Sequence, residues 1–286
     1  MNWPTWNQAA IAATLSGLLA LALRRRDLDG WRAAIGQAAT EFAIIAGLYS
    51  VWRVARKLPL AQDEGAVDRA HQIVRLEHDL HLPTELSLQR WFLEHDTLAR
   101  LANTYYATLH VPMLLGFLVW LFVRHRDHFA RWRNALAILT GFCLVIRFIR
   151  VAPPRFLGEL GYVDLSTRYG LNLYGPVGTG VSDQFAAMPS IHVGWAAVVS
   201  FGVVAASTSR WRWLALLHVI LTFVVVSATG NHWWMDGIVA VALLGVALRI
   251  DTVVRRRREA AAGVAPAEVT LEPAVATGAQ QPAARS

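Results

Sequence analysis

The sequence predicts an all-α, polytopic integral membrane helical bundle, and three observations carry that expectation. Hydrophobic residues make up 55% of the 286-residue chain and charged residues only 16%, against about 25% in a typical soluble domain. The apolar residues come in long blocks, without the period-2 alternation of a membrane barrel. The arginines gather between those blocks, where a membrane bundle keeps its charge.

A bilayer span needs about 20 mostly apolar residues. Seven stretches qualify, near 7–23, 33–52, 101–123, 133–150, 190–207, 211–229 and 235–250. The N-terminus has no basic region before its first apolar block, so a cleaved signal peptide is not expected. Basic groups follow the first, third, fifth and seventh spans, at Arg24–Arg26 and Arg32, Arg124–Arg133, Arg210 and Arg212, and Arg249–Arg258. If every span crosses, these groups share one side, and the positive-inside rule makes that side cytoplasmic. The expected location is the plasma membrane, with a cytoplasmic C-terminus. The N-terminus and the loops after the second, fourth and sixth spans then face outward. Segment 53–100 carries seven basic residues on the outer side, but its length and its acids weaken the rule there. The net charge of +7 forms no single basic patch, so no nucleic-acid partner is expected. The oligomeric state is not legible.

Between the second and third spans, segment 59–97 reads as two amphipathic helices in the outer interface. AVDRAHQIVRLEHDLHL spaces Val67, Ile73, Val74, Leu76 and Leu80 at helical intervals, Pro83 and Thr84 interrupt, and ELSLQRWFLEH resumes. His71, His78 and His81 here complete no recognisable metal-ligand pattern. The outer loop 151–188 is glycine-rich, and its GPVGTG lacks the lysine and strand–helix setting of a phosphate loop. The tail from Glu259 has the composition of a disordered segment. The chain thus divides into 1–30 (first span and basic loop), 31–252 (membrane-embedded domain) and 253–286 (basic stop and tail). Cys143, the only cysteine, reads as a small buried apolar residue. Glu41, His110 and His218 lie inside spans, where ionisable groups usually face the interior and pair.

Three short segments stand at the outer ends of spans: APPRF (152–156), AAMPSIH (186–192) and GNHWWMD (230–236). Topology brings them to one face. Pro189 suits a first helical turn, so Ser190, Ile191 and His192 offer backbone N–H groups to an anion. The Ser190 hydroxyl adds a donor, and His192 can give or take a proton. Asn231 suits an N-cap, while His232 and Asp236 are four apart and share a helical face. A carboxylate on one imidazole nitrogen aims the other outward, as a nucleophilic histidine requires. Trp233 and Trp234 suit the water–lipid boundary. Arg155 can grip phosphate oxygens bidentately, with Arg147 and Arg150 as further cations. The set makes a phosphoryl-transfer kit. A metal held by the two histidines and the aspartate is ranked lower, because arginine and backbone donors already supply positive field, so no cofactor is expected.

These segments resemble the type-2 phosphatidic acid phosphatase superfamily. PSIH (189–192) is similar to its second motif and His232–Asp236 to the HxxxD of its third. PPRF, AMPSIH, ATGNH and YYATLH (105–110) resemble its inositol-phosphorylceramide-synthase-like, or inositolphosphotransferase, branch. The resemblance covers about residues 33–250 and implies a six-span core with one extra N-terminal span. Phe148 stands where the family's first-motif lysine would fall, and Val225 and Val226 where its third-motif Ser-Arg would. Those losses weaken a plain phosphatase assignment and favour the phosphotransferase branch.

The resemblance implies a metal-independent reaction in two steps. His232 attacks a lipid-linked phosphate and becomes a phosphohistidine, with Asp236 orienting it. His192 protonates the leaving alkoxide and then activates the acceptor. Arg155, Ser190 and the helix start at Ile191 hold the phosphoryl oxygens, with Arg147 or Arg150 in place of the absent cations. Gln184, Asp164, Tyr169, Asn172 and Asn231 are candidates for headgroup selection. Membrane lipids are the expected substrates. Water as acceptor gives a lipid or polyprenyl phosphate phosphatase, and an alcohol such as inositol gives headgroup transfer. A lipid transporter, or a scaffold that has lost catalysis, are the readings from other classes.

Overall fold

Long apolar blocks fold as helices because only internally hydrogen-bonded backbone is stable in hydrocarbon. The computed structural model describes residues 4–24, 30–55, 65–169 and 184–262, and these residues are helical with no sheet among them. Helix α1 (Trp6–Arg24) pairs with α2 (Trp31–Ala55) as a hairpin, closed at one end where the Ser50 hydroxyl donates to the Trp6 carbonyl at 2.8 Å. Next come α3 (Ala66–Asp79) and α4 (Glu85–Leu93), then α5 (Asp96–Thr108), α6 (His110–Arg124) and α7 (Arg126–Ile146). After the outer loop with its four-residue α8 (Leu165–Arg168) come α9 (Ile191–Ala206), α10 (Leu216–Ala228) and α11 (Trp234–Ala261).

Five of the described helical segments are long and apolar enough to cross a membrane, or six if α5 and α6 make one bent span. The structure therefore departs from seven unbroken spans in two places. The stretch expected as one helix over 101–123 bends by 51° between α5 and α6. Pro112 explains the break: it lacks an N–H and its ring collides with the carbonyl four residues back, at Thr108, where α5 ends. The expected span 190–207 is a 16-residue helix, α9, about 24 Å long, short of the ~30 Å hydrocarbon core. Its neighbours are protein: α9 packs against α6, α7 and α10 and is buried along much of its length. Large apolar side chains such as Leu15, Leu18, Val119 and Leu217 instead point outward from the other helices.

The main core lies among α6, α7, α9, α10 and α11, around Leu121, Leu139, Val198 and Leu244, with Cys143 buried in it. Gly237 lets α11 approach α10, because a Cβ there would sit 2.3 Å from the Phe223 ring. Glu41 pairs with Arg133, tying α2 to α7, and His218 accepts or donates a 2.8 Å bond with the Tyr105 hydroxyl. The third ionisable residue expected to pair, His110, has no hydrogen-bond partner on either ring nitrogen among the described residues.

Candidate active site

Backbone hydrogen bonds knit the three outer segments together. The Val151 N–H donates to the Phe185 carbonyl at 2.7 Å, and the Arg155 N–H to the Gly230 carbonyl at 2.9 Å. The Ser190 N–H reaches the Asp236 carbonyl at 3.0 Å. Gly230 adopts φ +71°, and a Cβ there would meet Gln89 Nε2 at 2.8 Å, so both conformation and space call for glycine. Trp233 completes the clamp. It is 1% exposed and donates its indole N–H to the Ala152 carbonyl at 2.9 Å. This corrects the expectation of a boundary tryptophan: Trp233 belongs to a second small core with Ala66, Ala70, Ile73, Leu157 and Tyr162. Trp234 is half-buried and donates its indole N–H to Pro83.

Helix α11 starts at Trp234, so His232 precedes it and Asn231 does not cap it. Asn231 holds the arginine instead: its Oδ1 accepts from Arg155 Nη1 at 2.7 Å, while its amide donates to Thr229 at 2.8 Å. His232 still meets Asp236. Its Nδ1 lies 3.2 Å from Asp236 Oδ2 and 2.8 Å from the Ala187 carbonyl. Both neighbours are pure acceptors, so Nδ1 carries the proton and the Nε2 lone pair points away from them. The nearer of the two orienters is a backbone carbonyl, which no side-chain motif reveals.

That lone pair faces His192, whose Nδ1 is 3.4 Å away. His192 sits in the first turn of α9 and is half-buried. Ser190, not Pro189, sets the start of that helix. As N-cap its hydroxyl accepts from the Val193 N–H at 3.4 Å, and its own N–H is taken by Asp236. Pro189 thus stands outside the first turn. A serine oxygen satisfies a helix-end donor, which proline cannot do.

A cavity of about 670 Å³ opens at the two histidines. Its polar end carries His192, His232, Asn231, Arg155, Arg147, Gln184 and His110, and Ile191 also lines it. Its apolar walls come from α2, α6 and α7 through residues such as Leu48, Trp52, Leu115, Leu118 and Leu144. Arg53 on α2 also reaches the lining. Asp236 and Ser190 stand behind the wall, both fully buried. Arg150 lies elsewhere, its guanidinium 5.4 Å from the Phe185 ring centre. Of the family positions lacking a cation, Phe148 is exposed and Val225 and Val226 are buried in the apolar core.

The headgroup candidates separate. Gln184 and Asn231 line the cavity, and Asp164 and Tyr169 do not. Asp164 caps α8 by accepting from the Ser166 and Thr167 N–H groups. Tyr169 carries the Arg100 guanidinium 4.8 Å above its ring. Asn172 lies outside the described residues.

Two further acids matter that the motifs do not contain. Helix N-termini leave backbone donors unsatisfied, and at α11 distant carboxylates take them. Glu85 Oε1 accepts from the Trp234 N–H at 2.9 Å and Glu77 Oε1 from the Met235 N–H at 2.7 Å. Burial, together with Glu85, raises the Glu77 carboxyl to about 9, and burial raises Glu85 as well. Both shifts are upward, so the pair holds a proton between them. Gln89 is fully buried and bridges Val163 to the Ala228 carbonyl at the end of α10. The signal was present in the spacing. Ala66, Ala70, Ile73 and Glu77 form one buried helical stripe, and Glu85, Gln89 and Phe92 another. Of the apolar residues read at helical spacing, Ile73 is buried and Val74 half-buried, while Val67, Leu76 and Leu80 are exposed.

The profile of the PAP2 superfamily matches residues 71–250. The chain belongs to that superfamily, a match that points in general terms to an enzymatic activity related to lipid phosphates. No curated protein and no solved structure matches it.

Proposed function

We propose that this protein is a membrane phosphotransferase or phosphatase that acts on lipid-linked phosphate through a phosphohistidine at His232. One observation carries the reading. A buried imidazole has its Nδ1 proton held by two acceptors, and its Nε2 lone pair meets a second histidine at a cavity with arginines. The N–N separation of 3.4 Å is too short to admit a phosphoryl group, so substrate has to part the rings. His232 is tethered and His192 is half-buried at the wall, so His192 is the ring that yields. Apo catalytic contacts often differ in this way from those in the substrate complex.

In the first step His232 Nε2 forms a bond to phosphorus and the P–O bond to the lipid breaks. Protonated His192 gives its proton to the departing alkoxide. In the second step neutral His192 takes a proton from the acceptor hydroxyl, whose oxygen bonds to phosphorus as the P–N bond breaks. Arg155, locked by Asn231, and Arg147 stabilise the charge on the phosphoryl oxygens. Arg147, one residue before the position of the absent family lysine, is favoured over Arg150 because it lines the cavity. The apolar walls suit a lipid tail. The distribution of arginines supports an extracytoplasmic site in the plasma membrane.

The test is incubation of the purified protein with ³²P-labelled phosphatidic acid, followed by alkaline quenching. Acid-labile, alkali-stable label on a peptide containing His232, retained in strong chelator, is the expected result. Product formation with no label on the wild-type protein at any time point would overturn the covalent mechanism.

A further inference from the structure

A phosphoryl group in transfer spreads its charge over three equatorial oxygens. Helix α7 and the turn after it bring two arginines to the cavity, Arg147 and Arg155, and Asn231 already occupies Arg155 Nη1. A further arginine enters from α2. Arg53 lines the cavity, and its Nε is buried with no hydrogen-bond partner among the described residues. An arginine near the end of a membrane helix ordinarily stretches its head to the lipid headgroups, but the Arg53 Nε is shut off from solvent. No aspartate or glutamate is among the described residues that line the cavity. Arg133, which also lines it, is paired with Glu41. A half-buried guanidinium with an unmet donor, at a cavity without acids in its described lining, is suited to receive an anion.

Two contacts fix where Arg53 stands. The ring of Trp52, the residue before it, packs on Trp195 with centres 5.9 Å apart, and the Trp195 indole N–H donates to the Thr140 hydroxyl at 3.1 Å. Trp195 follows His192 by nearly one turn of α9, so the end of α2 is seated beside the turn that carries His192. Further back along α2 and α7, Glu41 meets Arg133. From that pair Arg53 stands about 18 Å along α2 and Arg147 about 21 Å along α7, at about 1.5 Å per residue. The two arginines therefore reach similar heights on different helices that line one cavity.

We propose that Arg53 is a third cation of the phosphoryl site, supplied by a helix that precedes the stretch matched to the superfamily, and that it meets a phosphoryl oxygen left free by Arg147 and Arg155. This rests on the lipid-phosphate reading of the cavity. The α1–α2 hairpin then completes the site as well as walling it, and substrate phosphate binds fully only with α2 in place.

The experiment measures anion binding apart from turnover. Full-length wild type, Arg53→Met and Arg53→Lys are purified in detergent, and inorganic phosphate is titrated as a competitor of ³²P-labelled phosphatidic acid. Methionine keeps an apolar stem and loses the charge, while lysine keeps the charge and loses the fork. Arg53→Met should weaken phosphate inhibition and lower kcat/KM by about 10–100-fold each, the loss of one charged hydrogen bond. Arg53→Lys should recover part of both. If Arg53 served only to pack, methionine would do as well as lysine. Equal inhibition constants in the two variants, or a constant in Arg53→Met unchanged from wild type, would therefore overturn the assignment. Melting curves check that each variant is folded, and Arg53→Gln takes the place of the methionine variant, with the same expectation, if that one is not. The two readings fail separately: product without label on His232 brings down the covalent mechanism, and unmoved phosphate inhibition brings down the role of Arg53.

Discussion

The two helices that deliver the site histidines are begun in opposite ways. Helix α9 is capped from within: Ser190, next to His192, satisfies the Val193 N–H. Helix α11, which follows His232, is capped from far along the chain by Glu85 and Glu77. The first cap is local, although the Ser190 N–H also reaches the Asp236 carbonyl. The second exists only when α3 and α4 are seated on it, so the start of α11 depends on long-range packing more than the start of α9 does.

The largest expected break in this contrast comes at the nucleophile. His232→Ala should abolish covalent labelling and lower turnover by about 10⁴-fold or more, whereas His192→Ala should retain slow labelling and lose about 10²–10⁴-fold, the range for a general acid–base. Time courses of label and product separate the two.

Next, Glu85→Ala should destabilise the protein by about 3 kcal/mol, because two elements lose a shared buried polar contact. Denaturation in detergent measures it. Alkaline pH tests the same place. The Glu77 carboxyl is raised to about 9 from 4.5, so the folded protein keeps a proton that the unfolded chain releases. The contribution of Glu77 to stability is full below about pH 4.5 and declines as pH rises towards 9. The melting temperature should fall between pH 6 and 9, and less steeply in Glu77→Gln.

Asp236→Asn is expected to be milder than a lone orienting carboxylate would suggest, costing about 10–100-fold in turnover. The Ala187 carbonyl, the closer of the two acceptors, still holds the tautomer. A loss above about 10³-fold would assign the orientation to Asp236 alone. The smallest effect belongs to the local cap: Ser190→Ala should lower stability by about 1 kcal/mol, with labelling of His232 preserved.

What the sequence disclosed follows the same division. Apolar blocks, the serine before His192 and the four-residue spacing of His232 and Asp236 are local patterns, and each points to a feature present in the fold. Contacts between distant segments leave weaker traces. Asn231 has an excellent N-cap composition, yet Arg155 claims its oxygen. Trp233 has a boundary residue's chemistry, yet the PPRF turn and α3 enclose it. Glu77 and Glu85 lie on buried helical stripes, a pattern visible in the spacing but meaningful only once α11 is placed beneath them. His110 lies where pairing was expected, and only coordinates reveal that no described residue hydrogen-bonds to it.

Helix α2 precedes the stretch that matches the superfamily, yet Leu48 and Trp52 form part of the hydrocarbon side of the cavity. The apolar wall is therefore drawn partly from a helix outside the matched stretch, and replacing residues 31–55, which also contribute Arg53, would change the shape of that wall while His192 and His232 stay where they are.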